Sequence, residues 1–187
     1  MRITGGKFGG RVLAAPDDNR VRPTAGKTRQ AIFNILEHNF GAVLENTHVI
    51  DLFAGTGALG LEAISHGAEF CLFVDDAAES RALIRRNVEA LGLTGATKIW
   101  RRDATNLGPP SPGAGGPFGL AFLDPPYHEG LVEPALAALH EGWLKPQAIV
   151  VVETASGEDF GENKNFAHLD ERNYGDTRIS ILEYRDA

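Results

Sequence analysis

The sequence predicts an α/β fold: a doubly wound, mostly parallel, seven-stranded sheet with an antiparallel strand at its edge, preceded by a short N-terminal hairpin and helix. Three observations predict it. Short apolar runs alternate with stretches whose apolar residues recur at helical spacing, the pattern of βαβ units. The stretch Asp51-Leu52-Phe53-Ala54-Gly55-Thr56-Gly57-Ala58-Leu59-Gly60 joins one such run to one such helix through a glycine turn. The last two apolar runs have no helix between them, so one of that pair must turn antiparallel.

In chain order, Arg2-Ile3-Thr4, a turn containing Gly5, Gly6, Gly9 and Gly10, and Arg11-Val12-Leu13 read as a hairpin. An irregular segment containing Arg22-Pro23-Thr24 leads to a helix with Thr24 as its N-cap. Ala31, Ile32, Ile35 and Leu36 share one face of that helix, leaving Lys27, Arg29, Gln30 and Asn34 on the other. His48-Val49-Ile50 opens the first strand of the sheet, and Leu59, Ala63 and Ile64 mark the helix after the glycine turn. The run 70–74 is the second strand and ends in Asp75-Asp76. A helix over 78–91 follows, with Leu83, Ile84, Val88 and Leu91 apolar and Gly92 as its stop. A short third strand near Lys98-Ile99-Trp100 ends at Arg102-Asp103. The tract 108–117 contains only Gly, Pro, Ser and Ala, offers little to bury, and reads as a mobile loop. Leu120-Ala121-Phe122-Leu123 is the fourth strand and runs into Asp124-Pro125-Pro126-Tyr127. A helix over 132–139, a strand over 148–152 and two more near 166–172 and 179–184 complete the order, with no internal repeat.

A chain of 187 residues fits one domain with a sizeable core, and residues 1–40 form a basic extension packed on it. No apolar run approaches the roughly 18 residues of a membrane span, and the N-terminus lacks the apolar centre of a signal peptide. A cytoplasmic protein with no membrane partner is expected. The single cysteine, Cys71, sits in an apolar run and reads as a core residue, which excludes an internal disulfide and argues against a metal site. The net charge of −7 tells against a nucleic-acid partner until its distribution is examined. Residues 1–30 carry seven basic side chains against Asp17 and Asp18, a net of +5, which leaves −12 on the remainder. A basic arm on an acidic body is an electrostatic footprint for phosphate.

Ligands of open α/β sheets bind beyond the carboxyl ends of the strands, where the strand order reverses. Asp51, Asp75, Asp103 and Asp124 fall at four successive strand ends. Any one of them reads as easily as a surface carboxylate or a helix cap; four in a row do not. Gly55-x-Gly57-x-x-Gly60 has the spacing of a dinucleotide fingerprint, in which glycines admit a ligand to the backbone and to the free N–H groups of a helix start, without naming the nucleotide. Asp75 lies about 20 residues beyond the first glycine, where a carboxylate holds ribose hydroxyls. Asp103 can accept from an adenine amine. The set points to an adenosine-containing cofactor. Asp124-Pro125-Pro126-Tyr127 is more discriminating. Two prolines fix the backbone and remove two N–H donors, so a carboxylate and rigid carbonyls form a fork for the two hydrogens of an –NH₂ group. Tyr127 offers a face for the base that bears it, and such stacking is worth about 1–3 kcal/mol.

Asp51-x-Phe53-x-Gly55-x-Gly57 with Asp124-Pro125-Pro126-Tyr127 resembles the S-adenosylmethionine-dependent amino-methyltransferases. Arg2-Ile3-Thr4-Gly5-Gly6, Arg22-Pro23-Thr24, Arg29-x-x-Ile32-Phe33-Asn34-Ile35-Leu36 and Tyr174-Gly175-x-Thr177 narrow the resemblance to the ribosomal small-subunit methyltransferase D family, over nearly the whole chain. That resemblance implies a Rossmann-like methyltransferase sheet, S-adenosylmethionine as cofactor, and the N2 amine of a guanine of 16S rRNA, guanine 966, as target. The partner would be the small ribosomal subunit or an assembly intermediate, and the protein a monomer. Asp51, Phe53, Gly55, Gly57, Asp75, Asp103 and Asp124 are then expected around the cofactor, with the glycine turn at its methionine end and Asp51 facing its amino group. Asp124, Pro125, Pro126 and Tyr127 are expected at the reacting amine, and Arg2, Lys7, Arg11, Arg22 and Arg29 on rRNA phosphates. Asp75 stands where the family often carries Glu, one methylene shorter and still able to bind ribose. His128 adjoins the fork, yet the chemistry calls for no imidazole. Three other readings stay open. The fork also suits a DNA adenine or another RNA guanine. An NAD-dependent dehydrogenase would fit the glycines and Asp75 while leaving Asp124 to Tyr127 unexplained, and a non-catalytic RNA-binding module would keep the fold alone.

Overall fold

The computed structural model describes residues 1–17 and 25–186, so the expected N-cap Thr24 and the segment Arg22-Pro23 lie outside the described residues. Within them, α1 (Ala25–Asn39), β1 (His48–Leu52), α2 (Ala58–Ser65), β2 (Phe70–Val74), α3 (Ala78–Ala90), β3 (Thr97–Trp100), β4 (Phe118–Leu123), α4 (Val132–Leu139), β5 (Leu144–Ala155), β6 (Phe166–Tyr174) and β7 (Thr177–Tyr184) follow the expected order. The seven strands form one sheet in the order β3-β2-β1-β4-β5-β7-β6. β1 pairs in parallel with β2 on one side and with β4 on the other. The order therefore reverses between β1 and β4, which opens a crevice at their carboxyl ends.

β4 and β5 are parallel, and β7 is antiparallel to both β5 and β6. The reversed strand lies at the expected end of the sheet, inserted between β5 and β6, so the outermost strand β6 runs with the majority. A two-residue turn, Gly175-Asp176, joins β6 to β7, with Gly175 at φ 59°.

The central strands are apolar on both faces because both faces are covered. Val49, Phe73, Leu120 and Val151 pack with α1, α2 and α3 through Phe33, Leu61 and Ile84. Ile50, Leu72, Ala121 and Val150 face the other way, onto α4 and Trp143. α2 lies so close to β2 that a Cβ on Gly60 would come within 2.5 Å of both Cys71 Sγ and the Phe73 ring. The third glycine of the turn is thus a packing requirement, and Cys71 is fully buried against it.

The N-terminal arm is a minimal hairpin bridged at Arg2 and Val12, with Ile3 and Leu13 buried. It docks on the end of α2: Lys7 N–H donates to the Ser65 carbonyl at 2.8 Å, Phe8 N–H donates to Ser65 Oγ at 2.9 Å, and Ser65 Oγ donates to the Gly5 carbonyl at 2.6 Å. A helix end needs partners for its last carbonyls, and the arm supplies one.

Two expectations are corrected here. Arg29 lies on the buried face of α1, 5% exposed, with Ile32, Phe33 and Leu36. Its Nε donates to Glu62 Oε2 at 3.2 Å and its Nη2 to the Arg2 carbonyl at 2.6 Å, so its guanidinium is engaged within the protein and ties α1 to the arm. The Gly/Pro tract is tied down, not free. Gly108 and Gly115 carbonyls accept from Trp143 Nε1 at 2.8 Å and His48 Nδ1 at 2.7 Å, and Ala114 is buried. Backbone carbonyls do the anchoring there, which a reading by side chains misses.

Candidate active site

Asp51, near the end of β1, is 1% exposed and accepts the Gly60 N–H at 3.0 Å. Burial pushes its carboxyl up to about 8; the Gly60 N–H opposes that rise and the neighbouring Asp75 adds to it. The chain then turns through Phe53 at φ 55° and Gly55 at φ 60°. For a phenylalanine that conformation costs about 1–3 kcal/mol, the kind of strain that collects at ligand sites. A Cβ on Gly55 would meet nothing of the protein closer than the Phe53 carbonyl at 4.0 Å, so this glycine leaves bare backbone on a cavity wall. Gly55 N–H donates to Asp75 Oδ2 at 2.9 Å, and Ala77 N–H donates to Asp75 Oδ1 at 2.9 Å. One carboxylate at the end of β2 thus fixes the glycine turn and the start of α3.

These groups wall a cavity of about 660 Å³ at the β1/β4 crevice, within the usual range for ligand sites. Of the expected residues, Asp51, Phe53, Gly55, Asp75, Asp124, Pro125, Pro126 and Tyr127 line it, and so does Arg29 from α1. Gly57 stands behind the wall: it is the N-cap of α2 at φ 81°, and a Cβ there would lie 3.3 Å from the Phe73 ring. Asp103 also stands apart from the lining. It is exposed, and its Oδ1 accepts from both the N–H and the hydroxyl of Thr105, at 2.8 and 2.7 Å, which holds its carboxyl below the usual carboxylate range.

Asp124 to Tyr127 leave β4 on the opposite side of the crevice. The Tyr127 hydroxyl donates to Glu153 Oε1 at 2.8 Å and lies 2.9 Å from Thr177 Oγ1, which fastens the ring to β5 and β7. Burial pushes its phenol up to about 12; Thr177 opposes the rise and the negative charges of Glu153 and Asp124 add to it. The hydroxyl therefore stays protonated at neutral pH and serves as a fixed donor. Glu153 and Thr177 both line the cavity and had no assigned role in the sequence reading. Glu153 follows the apolar run of β5 as the four aspartates follow theirs, so the same strand-end signal would have found it. A second hollow of about 840 Å³, lined by Lys27, His128 and Tyr174, shares Tyr127 and Thr177 with the first. His128 is exposed at φ 62°, and its N–H donates to Glu158 Oε1 at 3.0 Å.

The arm reaches the cavity through Met1 and Pro16. Asn87 of α3, 1% exposed, donates to the Ala14 carbonyl at 3.0 Å and the Thr56 carbonyl at 2.9 Å, tying the arm to the glycine turn. Arg2, Lys7 and Arg11 are exposed on the arm; Arg2 donates to the Gly10 carbonyl and Arg11 to the Ala90 carbonyl, each at 2.9 Å. Arg22 lies outside the described residues.

The lining suits S-adenosylmethionine on three counts. A buried carboxyl at Asp51 offers a place for an ammonium group, bare backbone at Gly55 admits a chain closely, and the Asp75 carboxylate at the end of β2 adds an acceptor suited to hydroxyl groups. No helix among the described residues is long and apolar enough to cross a membrane, and among them no three His, Cys, Asp or Glu side chains group as a metal site.

A family model described as "Conserved hypothetical protein 95" matches residues 1–183. Ribosomal RNA small subunit methyltransferase D of Haemophilus influenzae is 30% identical over 188 residues, covering 99% of this chain and 92% of that one. The enzyme of the same name from Escherichia coli is 35% identical over 156 residues, 82% of this chain and 74% of that one. Among solved structures, the yhhF protein of Escherichia coli superimposes with a TM-score of 0.82 at 26% identity, covering 99% and 98% of the two chains. A hypothetical protein of Thermus thermophilus gives 0.72 at 26% identity, covering 97% and 98%. With the crevice, its strand-end carboxylates and the arm all within the matched span, the chain belongs to the Conserved hypothetical protein 95 family and is a methyltransferase of the ribosomal small-subunit methyltransferase D type.

Proposed function

We propose that this protein is an S-adenosylmethionine-dependent rRNA methyltransferase whose target is the exocyclic N2 amine of a guanine in 16S rRNA. We take the whole chain as one cytoplasmic, monomeric methyltransferase domain, with residues 1–40 as its RNA-facing extension. The observation that carries the reading is that the Asp124-Pro125-Pro126-Tyr127 fork opens into the same cavity as Gly55 and Asp75. Amine acceptors and cofactor cradle thus share one space.

Bound S-adenosylmethionine supplies an electrophilic methyl group. The chain's own residues do the rest by position. Asp75 would hold the ribose, Asp51 the amino group and the Gly55 backbone the methionine chain, with Phe53 beside them; Asp103 remains a candidate for the adenine amine from the adjoining loop. Tyr127, fixed through Glu153 and Thr177, would stack on the guanine. The nitrogen of that guanine is a poor nucleophile while its lone pair is delocalised into the ring. The Asp124 carboxylate and the Pro125 carbonyl would accept both amine hydrogens, orient the emerging lone pair, and stabilise positive charge growing on nitrogen. Positioning supplies about 7–11 kcal/mol, whereas a general base adds about 10²–10⁴-fold. Asp124 is therefore an orienting group first. A paired guanine must leave its stack to reach the fork, at a cost of a few kcal/mol. Arg2, Lys7 and Arg11 on the arm would meet backbone phosphate, and Arg22 is kept as a candidate beside them.

A methylation assay on small subunits that lack the modification, with the product mapped to nucleotide and atom, tests the reading. N2-methylguanine in 16S rRNA is expected. Methylation of DNA adenine, or of no nucleic acid, would refute it.

A further inference from the structure

The fork recognises an –NH₂ group without naming the base that carries it. Resting on the guanine-N2 reading above, we propose that Glu153 reads the N1–H of the target guanine and so selects guanine over other amine-bearing bases.

The placement comes from the sheet. Leu123 of β4 pairs with Val152 of β5, so Asp124 and Glu153 are the next residues along two adjacent parallel strands. Strands so paired lie about 4.8 Å apart. Leu123 and Val152 both face the α4 side, so the residues that follow them turn toward the crevice. Both carboxylates line the cavity, and both act on Tyr127: Glu153 accepts its hydroxyl proton, and Asp124 adds its charge nearby. The ring that would stack on the base therefore stands beside two side-by-side carboxylates.

The Watson–Crick edge of guanine presents three donor hydrogens on two adjacent nitrogens, two on N2 and one on N1. Asp124 and the Pro125 carbonyl account for the N2 pair. The N1–H is the next donor along that edge, as Glu153 is the next acceptor along the sheet. A carboxylate only accepts, with about four lone-pair sites, so Glu153 can hold the Tyr127 hydroxyl and a base N–H at the same time. Adenine and 2-aminopurine bring a lone pair at N1 instead of a hydrogen, which sets acceptor against acceptor. A site built to bond a substrate N–H rejects an analogue without it far more strongly than a merely apolar site would.

The test uses small subunits reconstituted with 16S rRNA that carries either guanosine or 2-aminopurine riboside at the mapped target. Both bases offer the N2 amine and differ at N1. Wild-type protein should favour guanine in kcat/KM by at least about 100-fold. Glu153→Gln, whose amide can donate to the N1 lone pair, should shrink that preference tenfold or more. Tyr127→Phe, which removes the hydroxyl held by Glu153, should slow both substrates and keep the preference. The proposal is overturned if Glu153→Gln slows both substrates equally, since Glu153 would then act only as a brace for Tyr127. Guanine methylation by wild type with an unchanged ratio in the variant sinks this inference alone. Absence of any guanine N2 methylation by wild type sinks the reading on which it rests.

Discussion

At neutral pH the Asp51 carboxyl is mostly protonated, because burial holds it at about 8. A cofactor ammonium placed against it would favour the carboxylate, so binding below pH 8 should release a proton. Calorimetry with S-adenosylhomocysteine at pH 7, in two buffers of different ionisation enthalpy, should show that release in wild type and not in Asp51→Asn; equal release in both would separate Asp51 from the amino group. The stability consequence has a definite sign. A raised pKa gives stability that is full below the unfolded value of about 3.9 and is lost as pH rises through about 8. On this account the ligand-free protein should weaken over that range, and S-adenosylhomocysteine should raise Tm more at pH 8 than at pH 6. Asp124→Ala should lower kcat by about 10²–10³ with S-adenosylhomocysteine still bound, the loss typical of removing one preorganised partner of the transition state; near-normal turnover would remove Asp124 from the chemistry. Asp51, Asp75 and Asp124 were readable because each follows an apolar run, and Glu153 follows one too; Asp103, read with them, follows two arginines and stands apart from the lining. Arg29 was not readable. Its partner Glu62 is 33 positions away, and helical periodicity alone does not reveal a buried cation answered by a distant carboxylate.

Among the elements, α2 is the most constrained. Gly60→Ala would drive a methyl into Cys71 and Phe73, and overpacking of this sort costs about 1–3 kcal/mol, which should appear as a lowered Tm. The same helix carries Glu62, fully buried, which accepts the Thr4 and Gly5 N–H groups, the Thr4 hydroxyl and Arg29 Nε. Burial alone would push Glu62 up, but His66, Thr4 and Arg29 outweigh it and hold its carboxyl below the ordinary range. A lowered pKa gives stability that is present above the unfolded value and lost as pH falls through the folded one. His66, raised chiefly by its ion pair with Glu62 and further by Glu37, contributes in the opposite sense: fully below its unfolded value, and lost as pH rises through the folded one. Hydrogen exchange should therefore find the arm loosening in acid, below the ordinary glutamate range, and again on the alkaline side of the histidine range. Glu62→Gln should abolish the acid step and cost about 3–5 kcal/mol, because it leaves Arg29 buried without its counter-charge. An arm equally protected in that variant would mean that the bonds to Ser65 and Asn87 and apolar packing hold the hairpin without the Glu62 charge.

For the molecule as a whole, the alternation of apolar runs with helically spaced stretches foretold a mostly parallel sheet, and the distribution of charge a basic arm on an acidic body. The central strands sit near their expected places because burial on both faces imposes long apolar runs. The insertion of β7 between β5 and β6 was not in the sequence pattern, since periodicity reports the face of a strand and not its neighbour. Charge is read at this scale too. Replacing Arg2, Lys7 and Arg11 with glutamine should flatten the salt dependence of RNA binding by about 2 logarithmic units per decade of salt, near 0.7 for each single-strand phosphate left without its cation; an unchanged slope would assign these side chains to structure. One feature of the fold also sets a timetable. The arm's anchoring bonds reach 57 to 79 positions down the chain, to Glu62, Asn87 and Ala90. At about 5–20 residues per second, Thr4 is synthesised some 3–12 s before the carboxylate that will hold it. The arm thus waits for α2 and α3 before it can seat, and until they emerge it is an exposed cationic peptide.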